Sequence, residues 1–249
     1  FDEGRYCRID QLSADFLRGA ECIVALGGDG TLTAVTHIIR DRRAVIGVNL
    51  DPQTSRGATL QFSSVDAFMA SLDNLASGAY RFEPWTRLAA KLNGTEIIPA
   101  TYDYFLGSEK QYRMSWVQSP LDGASFDNGQ RTDSSSGLII GGRGHWLDHS
   151  ARYLFPQGLR APVDAPYALY VYREIDRCEI EKPDGTSHIV DPREAAWGVI
   201  FPGESLILKS LNRFGGVLVV DSEKEYRFDR GAVVEVSVAR EPLWTICHA

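Results

Sequence analysis

The stretch Ala25-Leu26-Gly27-Gly28-Asp29-Gly30-Thr31 decides how this chain is read. An apolar run, Cys22 to Leu26, stops at two glycines. An acid, a glycine and a hydroxyl residue follow, and then the amphipathic segment Leu32 to Arg40. That is the grammar of a strand, a tight loop and a helix start. Glycines in such a loop let main-chain N–H groups come close to a ligand, and a helix N-terminus favours phosphate. A carboxylate there is unfavourable beside phosphate unless it holds a metal or accepts a proton from an attacking hydroxyl. The plainer role for Asp29 is a helix N-cap that only stabilises the loop. Flanked by Gly27, Gly28, Gly30 and Thr31, it is read first as functional.

Outward from the loop, Leu32, Val35, Ile38 and Ile39 repeat at helical spacing, and Arg40-Asp41-Arg42-Arg43 closes the helix. Ala44 to Leu50 is a second continuous apolar run, the pattern of a strand covered on both faces. Strand, helix and strand in about thirty residues make a βαβ unit whose loops lie at the ligand-binding carboxyl edge. Upstream, Asp10 to Gly19 reads as a short helix bearing Leu12, Phe16 and Leu17. Downstream, Ser63 and Ser64 can cap a helix with Val65, Phe68, Met69, Leu72 and Leu75 inward and Gly78 as its stop.

From Tyr80 the period changes. Arg87 to Leu92, Ile97 to Leu106 and Met114 to Gln118 are short alternating runs split by turns such as Asn93-Gly94. A boundary near Phe82 to Trp85 gives an α/β domain over 1–84 and a β-rich domain over 85–249. Gly123 to Ser136, rich in Ser, Asp and Gly, reads as an exposed loop or hairpin tip. Ser136 to Gly142 reads as a strand, Leu147 to Phe155 as a helix, and the rest to Val238 as a succession of strands.

The 249 residues suffice for two modest domains or one large one. A net charge of −7 with no basic cluster argues against a nucleic-acid surface. No run of apolar residues is long enough for a membrane span. Phe1 is followed by no charged-then-apolar leader, so the sequence is read as a processed product or the ordered part of a longer chain. Cys7, Cys22, Cys178 and Cys247 are scattered, which points to buried thiols in a reducing compartment.

The Gly-Gly-Asp-Gly-Thr loop after a strand resembles the signature of the NAD kinase and diacylglycerol/sphingosine kinase superfamily. Gly47-Val48-Asn49-Leu50-Asp51-Pro52, with Ser55 and Gly57, resembles the NAD kinases, their mitochondrial-type branch in particular. Ala100 to Phe105 sits where that family carries an Asn-Glu pair, and Ser135-Ser136-Gly137-Leu138 is similar to the strand before its second substrate loop. Val219-Val220-Asp221 with Glu225 to Val238 is similar to its closing β segment.

The resemblance implies a Rossmann-like parallel sheet, here without its first βα unit, followed by a β-rich domain whose tail packs back on the first. It implies ATP with Mg2+, NAD as the substrate, and Asp29 activating the ribose 2′-hydroxyl. Gly27, Gly28, Gly30 and Thr31 then shape the phosphate cradle, while Asn49, Tyr102 and Asp103 contact nucleotide. It also implies the mitochondrial matrix.

Departures are visible. The Asn-Glu pair is Tyr102-Asp103, Gly141-Gly142-Arg143-Gly144-His145-Trp146 replaces a hydroxyl-rich loop, and Ser222 follows Asp221 where the family has glycine. These keep open a non-catalytic scaffold or nucleotide-binding subunit of a larger mitochondrial assembly, beside a free homo-oligomeric enzyme. A lipid kinase rests on the pentapeptide alone. Asn49 and Asp103 each have a plain turn or core role as alternative. His145 and His149 share a metal-ligand spacing but lack the glutamate of a zinc protease motif, so surface histidines are preferred. Arg143 is read as a solvated loop charge ahead of a phosphate ligand.

Overall fold

The computed structural model describes residues 4–110, 112–120, 125–126, 129–142, 166–182, 184–192 and 196–248. The chain divides into two compact units, Phe1–Trp85 with Glu241–Ala249, and Thr86–Arg240. The helix expected over Leu147 to Phe155, the pair His145 and His149, and Arg143 lie outside the described residues.

Unit 1 is built on a sheet of β1 (Cys22–Gly27), β2 (Ala44–Asn49), β18 (Leu243–His248) and β3 (Tyr80–Trp85), in that order. β1, β2 and β18 run parallel, and β3 closes the sheet antiparallel to β18. β2 is buried along its whole length, as its continuous apolar run requires. On one face Ile23 and Ala25 of β1 are buried, and Leu32 of α1 (Asp29–Thr36) approaches Gly47. On the other, Ala44, Ile46, Val48 and Ile246 pack with Phe62, Phe68 and Leu75. Burying a side chain such as Leu32 or Ile39, both fully covered, contributes about 1.5–3 kcal/mol.

Three local readings are corrected. Asp10 to Gly19 is not a helix: a single 3-10 turn at Ile9–Gln11 precedes separate turns, because the Ser13 hydroxyl accepts the Phe16 N–H and closes the chain locally. The segment after Ser64 is two short helices, α2 (Val65–Ala70) and α3 (Leu72–Ala76), broken where the Ser71 hydroxyl donates to Ala67 O. Val65 and Met69 of α2 face outward, while Phe68 of α2 and Leu75 of α3 pack inward. Ser64 does cap α2, its hydroxyl accepting from Ala67 N at 3.1 Å. Of the four free cysteines only Cys178 is buried, and Cys22 is exposed because it lies on the uncovered side of the edge strand β1.

Unit 2 holds two antiparallel sheets. One runs β13 (Trp197–Ile200), β10 (Ala168–Tyr172), β9 (Leu138–Gly141), β6 (Asp103–Ser108), β15 (Gly216–Val220), β16 (Lys224–Arg227). The other runs β12 (Ser187–Ile189), β11 (Ile175–Glu181), β8 (Gly129–Ser134), β7 (Ser115–Pro120), β14 (Ser205–Ser210), β17 (Val233–Val238), β4 (Leu88–Leu92), β5 (Thr95–Glu96). Alternate residues of both meet in one core, with Tyr104, Leu106, Ile140 and Leu218 against Leu88, Leu208, Val234 and Val236.

The loop expected over Gly123 to Ser136 is corrected by β8, which lies inside the larger sheet between β7 and β11. Its polar residues are tolerated because they find partners: Arg131 pairs with Asp133 at 3.0 Å, and the Ser134 hydroxyl accepts from Gly137 N at 3.0 Å. Among the described residues no helix is long and apolar enough to cross a membrane.

Candidate functional site

In unit 1 the glycine loop forms where β1 ends, and α1 starts at Asp29 with Gly28 as its N-cap. Gly28 brings no side-chain cap, so the first N–H groups of α1 have no side-chain acceptor from that position. A Cβ at Gly27 would fall 2.7 Å from Thr31 Cβ, so the tight turn itself requires glycine there.

The Asp29 carboxylate is directed at the segment after β2. Oδ2 accepts from Ala58 N at 3.1 Å, and Oδ1 accepts from Thr59 N at 3.0 Å and from Thr59 Oγ1 at 2.5 Å. A carboxylate offers about four acceptor positions. Oδ1 is filled and Oδ2 keeps one, enough to orient a single hydroxyl.

Asn49, at the end of β2, is 3% exposed, and its amide is spent on its own loop. Nδ2 donates to Ser55 O at 3.0 Å and Oδ1 accepts from Asp51 N at 3.1 Å. Gly57 lies over that amide at φ 54°, where a Cβ would come 2.6 Å from Nδ2. The same turn is tied by the Asp51 carboxylate, held below its ordinary range by the Thr54 hydroxyl and the N–H groups of Thr54 and Gln53.

In unit 2, Tyr102 and Asp103 lead into β6. The carboxylate of Asp221, at the turn from β15 to β16, gathers their main chain: Oδ2 accepts from Thr101 N at 2.8 Å, and Oδ1 from Tyr102 N at 2.8 Å and Asp103 N at 3.0 Å. Asp221 N in return donates to Asp103 O at 3.0 Å. Burial first, and the Asp221 charge second, push the Asp103 carboxyl from 3.8 up to about 7.

The folded protein therefore holds a proton at Asp103 that the unfolded chain releases above about pH 4. The stability this group contributes is full below that pH and declines as pH rises to about 7. Asp103→Asn should flatten that decline, read as a smaller difference between urea midpoints at pH 5 and pH 8 than in the wild type.

The β15–β16 turn holds two non-glycine residues at positive φ, Asp221 at 50° and Ser222 at 59°. Ser222→Gly should relieve the second and raise stability by roughly 0.5–1 kcal/mol in thermal unfolding.

The structure thus brings Gly27, Gly28, Asp29, Gly30 and Thr31 together in one turn of unit 1, with Asn49 beneath the Asp51–Gly57 loop. Tyr102 and Asp103 stand together in unit 2. Thr59 and Asp221 were missed as partners. Nothing local marks Thr59, thirty residues from Asp29, whereas an acid directly after the apolar Val217–Val220 run was a usable signal for Asp221. Among the described residues no three His, Cys, Asp or Glu side chains gather as a metal-ligand set.

No family model matches the chain. It is 33% identical over 107 residues to NAD kinase 2, mitochondrial, of Rattus norvegicus, covering 41% of this chain and 25% of that protein. The match to curated relatives of this kind thus spans about a quarter of their length. Among solved structures, yeast NADH kinase complexed with NADH superposes with a TM-score of 0.65 at 17% identity, covering 94% of this chain and 64% of that one. An NAD kinase from Archaeoglobus fulgidus in complex with ATP gives 0.64 at 15% identity, covering 96% and 82%. The two structures establish the fold, an α/β unit followed by a β-rich one. Sequence similarity over part of the chain and structural similarity over nearly all of it point to one group, the NAD kinases, which this chain resembles.

Proposed function

We propose that this protein transfers a phosphoryl group from ATP to the 2′-hydroxyl of NAD, giving NADP. The observation that carries the reading is the Asp29 carboxylate, fixed by Ala58 and Thr59 with one acceptor position of Oδ2 left over. Phosphoryl transfer is mostly positioning and charge neutralisation. The open position would take the hydrogen bond of the attacking hydroxyl and then its proton, while the N–H groups opening α1 and the Gly27 to Thr31 loop would cradle phosphate oxygens. Tyr102 and Asp103 would recognise the dinucleotide, and Asn49 would act through the loop it ties.

A divalent ion such as Mg2+ would enter with the ATP phosphates and neutralise their charge. The mitochondrial matrix is proposed from the mitochondrial relatives, and assembly as a homo-oligomer accompanies the catalytic reading.

Purified protein with ATP, magnesium and NAD should form NADP, followed by chromatography of the products. Absence of NADP from well-folded protein sinks the proposal. A second reading, a nucleotide-binding subunit of a larger mitochondrial assembly without turnover, is favoured by how much of the Asp29 carboxylate is already engaged by its own loop. Nucleotide binding without product, together with co-migration in a stable complex, would select it.

A further inference from the structure

A three-residue hairpin turn ordinarily points its side chains into solvent. Asp221 does not: it is 7% exposed, although it lies between β15 and β16 at the end of the hairpin. Its carboxylate is turned back toward the strand paired with β15, where Val220 stands opposite Tyr104. Three successive N–H groups, those of Thr101, Tyr102 and Asp103, converge on it. That is an anion nest filled by a side chain of the same unit. Hydrogen bonds to a charged acceptor are about twice as strong as neutral ones, so the segment entering β6 is held by one side chain about 120 residues away in sequence.

The group so held is itself unusual. Asp103 is 5% exposed, and its carboxyl makes no hydrogen bond to a described side chain or main-chain group. Asp221 is the charge that faces it, from the β15–β16 turn. Across the sheet on β9 its partner is Gly141, which carries no ionisable group. Tyr104, next on β6, has its phenol pushed far up by burial and stays neutral; Arg87 from the start of unit 2 and Tyr226 from β16 face that phenol.

We infer that Asp221 is a positioning residue of the dinucleotide-recognising segment: its carboxylate fixes the Thr101–Asp103 main chain and with it the place from which the Asp103 carboxyl is presented. The inference deepens the NAD-binding reading above and rests on it for the ligand. The neutral carboxyl both donates and accepts, as a carboxamide does, so Asp103 supplies a donor where a carboxylate would offer acceptors alone. Binding of a ligand oxygen at Asp103 is then tightest below neutral pH and weakens as the group ionises.

The first test needs no ligand. Carbon-13 NMR of the Asp103 side-chain carboxyl in the free protein should show a midpoint near 7 in the wild type. In Asp221→Asn the midpoint should fall but stay above the ordinary carboxylate range, because the neighbouring charge is gone while burial, the larger cause, remains. In the same variant the carboxamide oxygen can still accept, but its NH2 meets an N–H donor, so amide exchange should speed at Thr101 or at the Tyr102–Asp103 pair. An unmoved midpoint together with unchanged amide protection, in variants whose circular dichroism matches wild type, overturns the inference.

The second test is calorimetric titration of NAD at pH 6 and pH 8. Affinity should be greater at pH 6 in the wild type. Asp221→Asn should weaken binding on the order of tenfold at pH 6, with a smaller difference between the two pH values. Equal affinity in wild type and variant at both pH values would also overturn it. If the wild type binds no NAD, the ligand reading fails while the carboxyl titration still judges the role of Asp221. If Asp221→Ala does not fold, Asp221→Asn carries the decision.

Discussion

Asp29→Asn should lower NADP formation by about 10²–10⁴-fold, the range lost when a proton acceptor is removed. The substitution keeps the side-chain volume and one oxygen. That oxygen can continue to accept from Thr59 N and Thr59 Oγ1, which both reach Oδ1. The NH2 then stands where Oδ2 accepted from Ala58 N, so one hydrogen bond becomes a donor facing a donor. Ala58 is exposed, and water can take up its N–H, which holds the stability loss to about 1 kcal/mol. Steady-state NADP formation beside urea denaturation separates the two effects. A turnover loss of several orders with a shift in midpoint near that size is the signature of Asp29 acting on the substrate. A stability change with no turnover in either protein is the signature of the binding-subunit reading.

The second large effect is structural. Gly137 joins β8 to β9 at φ 82°, and a Cβ there would stand 2.5 Å from Leu106 O, a main-chain atom of β6 that cannot swing away. The glycine is fixed from three sides: the Ser134 hydroxyl accepts its N–H and donates to its carbonyl, which also accepts from Arg173 N at 2.8 Å. Gly137→Ala should therefore cost roughly 2–5 kcal/mol, the sum of a left-handed alanine and a backbone clash. Gly185→Ala is the control. Gly185 has nearly the same φ, 81°, but open space around the missing Cβ, so only the conformational part, about 1–2 kcal/mol, should be lost. Thermal unfolding of the two variants separates dihedral strain from collision. Equal losses would show that the neighbouring strand yields.

How much was legible in the sequence follows from the range of each interaction. The strand, loop and helix around Gly27 to Thr31 were legible because each signal lies within one helical or strand period of the next. β2 was legible because burial on both faces leaves a continuous apolar run. β8 was not: Gly129 to Ser134 is a polar strand whose charges pair with each other and whose Ser134 hydroxyl is satisfied by main-chain groups, partners that no pattern announces. The break at Ser71 was hidden for a similar reason, since one hydroxyl bonding back to Ala67 interrupts a helix that apolar spacing had suggested.

The candidate site shows the same division. Asp29 stood out by its glycines, yet its contacts with Ala58 and Thr59 depend on how the chain returns after β2. For Asp103 the residue type was readable. Its burial and the facing Asp221 arise only when β6 and β15 pair.

The place of β18 bears on how the molecule comes to be folded. Trp244 and Thr245 pair with Ala44 and Val45, and Leu243 to His248 pair with Tyr80 to Trp85, so strands made early and strands made some 160–200 residues later share one sheet. Unit 2 is continuous in sequence and holds its own core, whereas unit 1 is written in two pieces around it. During synthesis β1, β2 and β3 leave the ribosome with the central position of their sheet vacant, and β2 and β3 wait with unpaired edges until residue 248 is out. Unit 2 can complete its sheets in the meantime. The glycine loop at the end of β1 is therefore translated before unit 2 and locked in place after it.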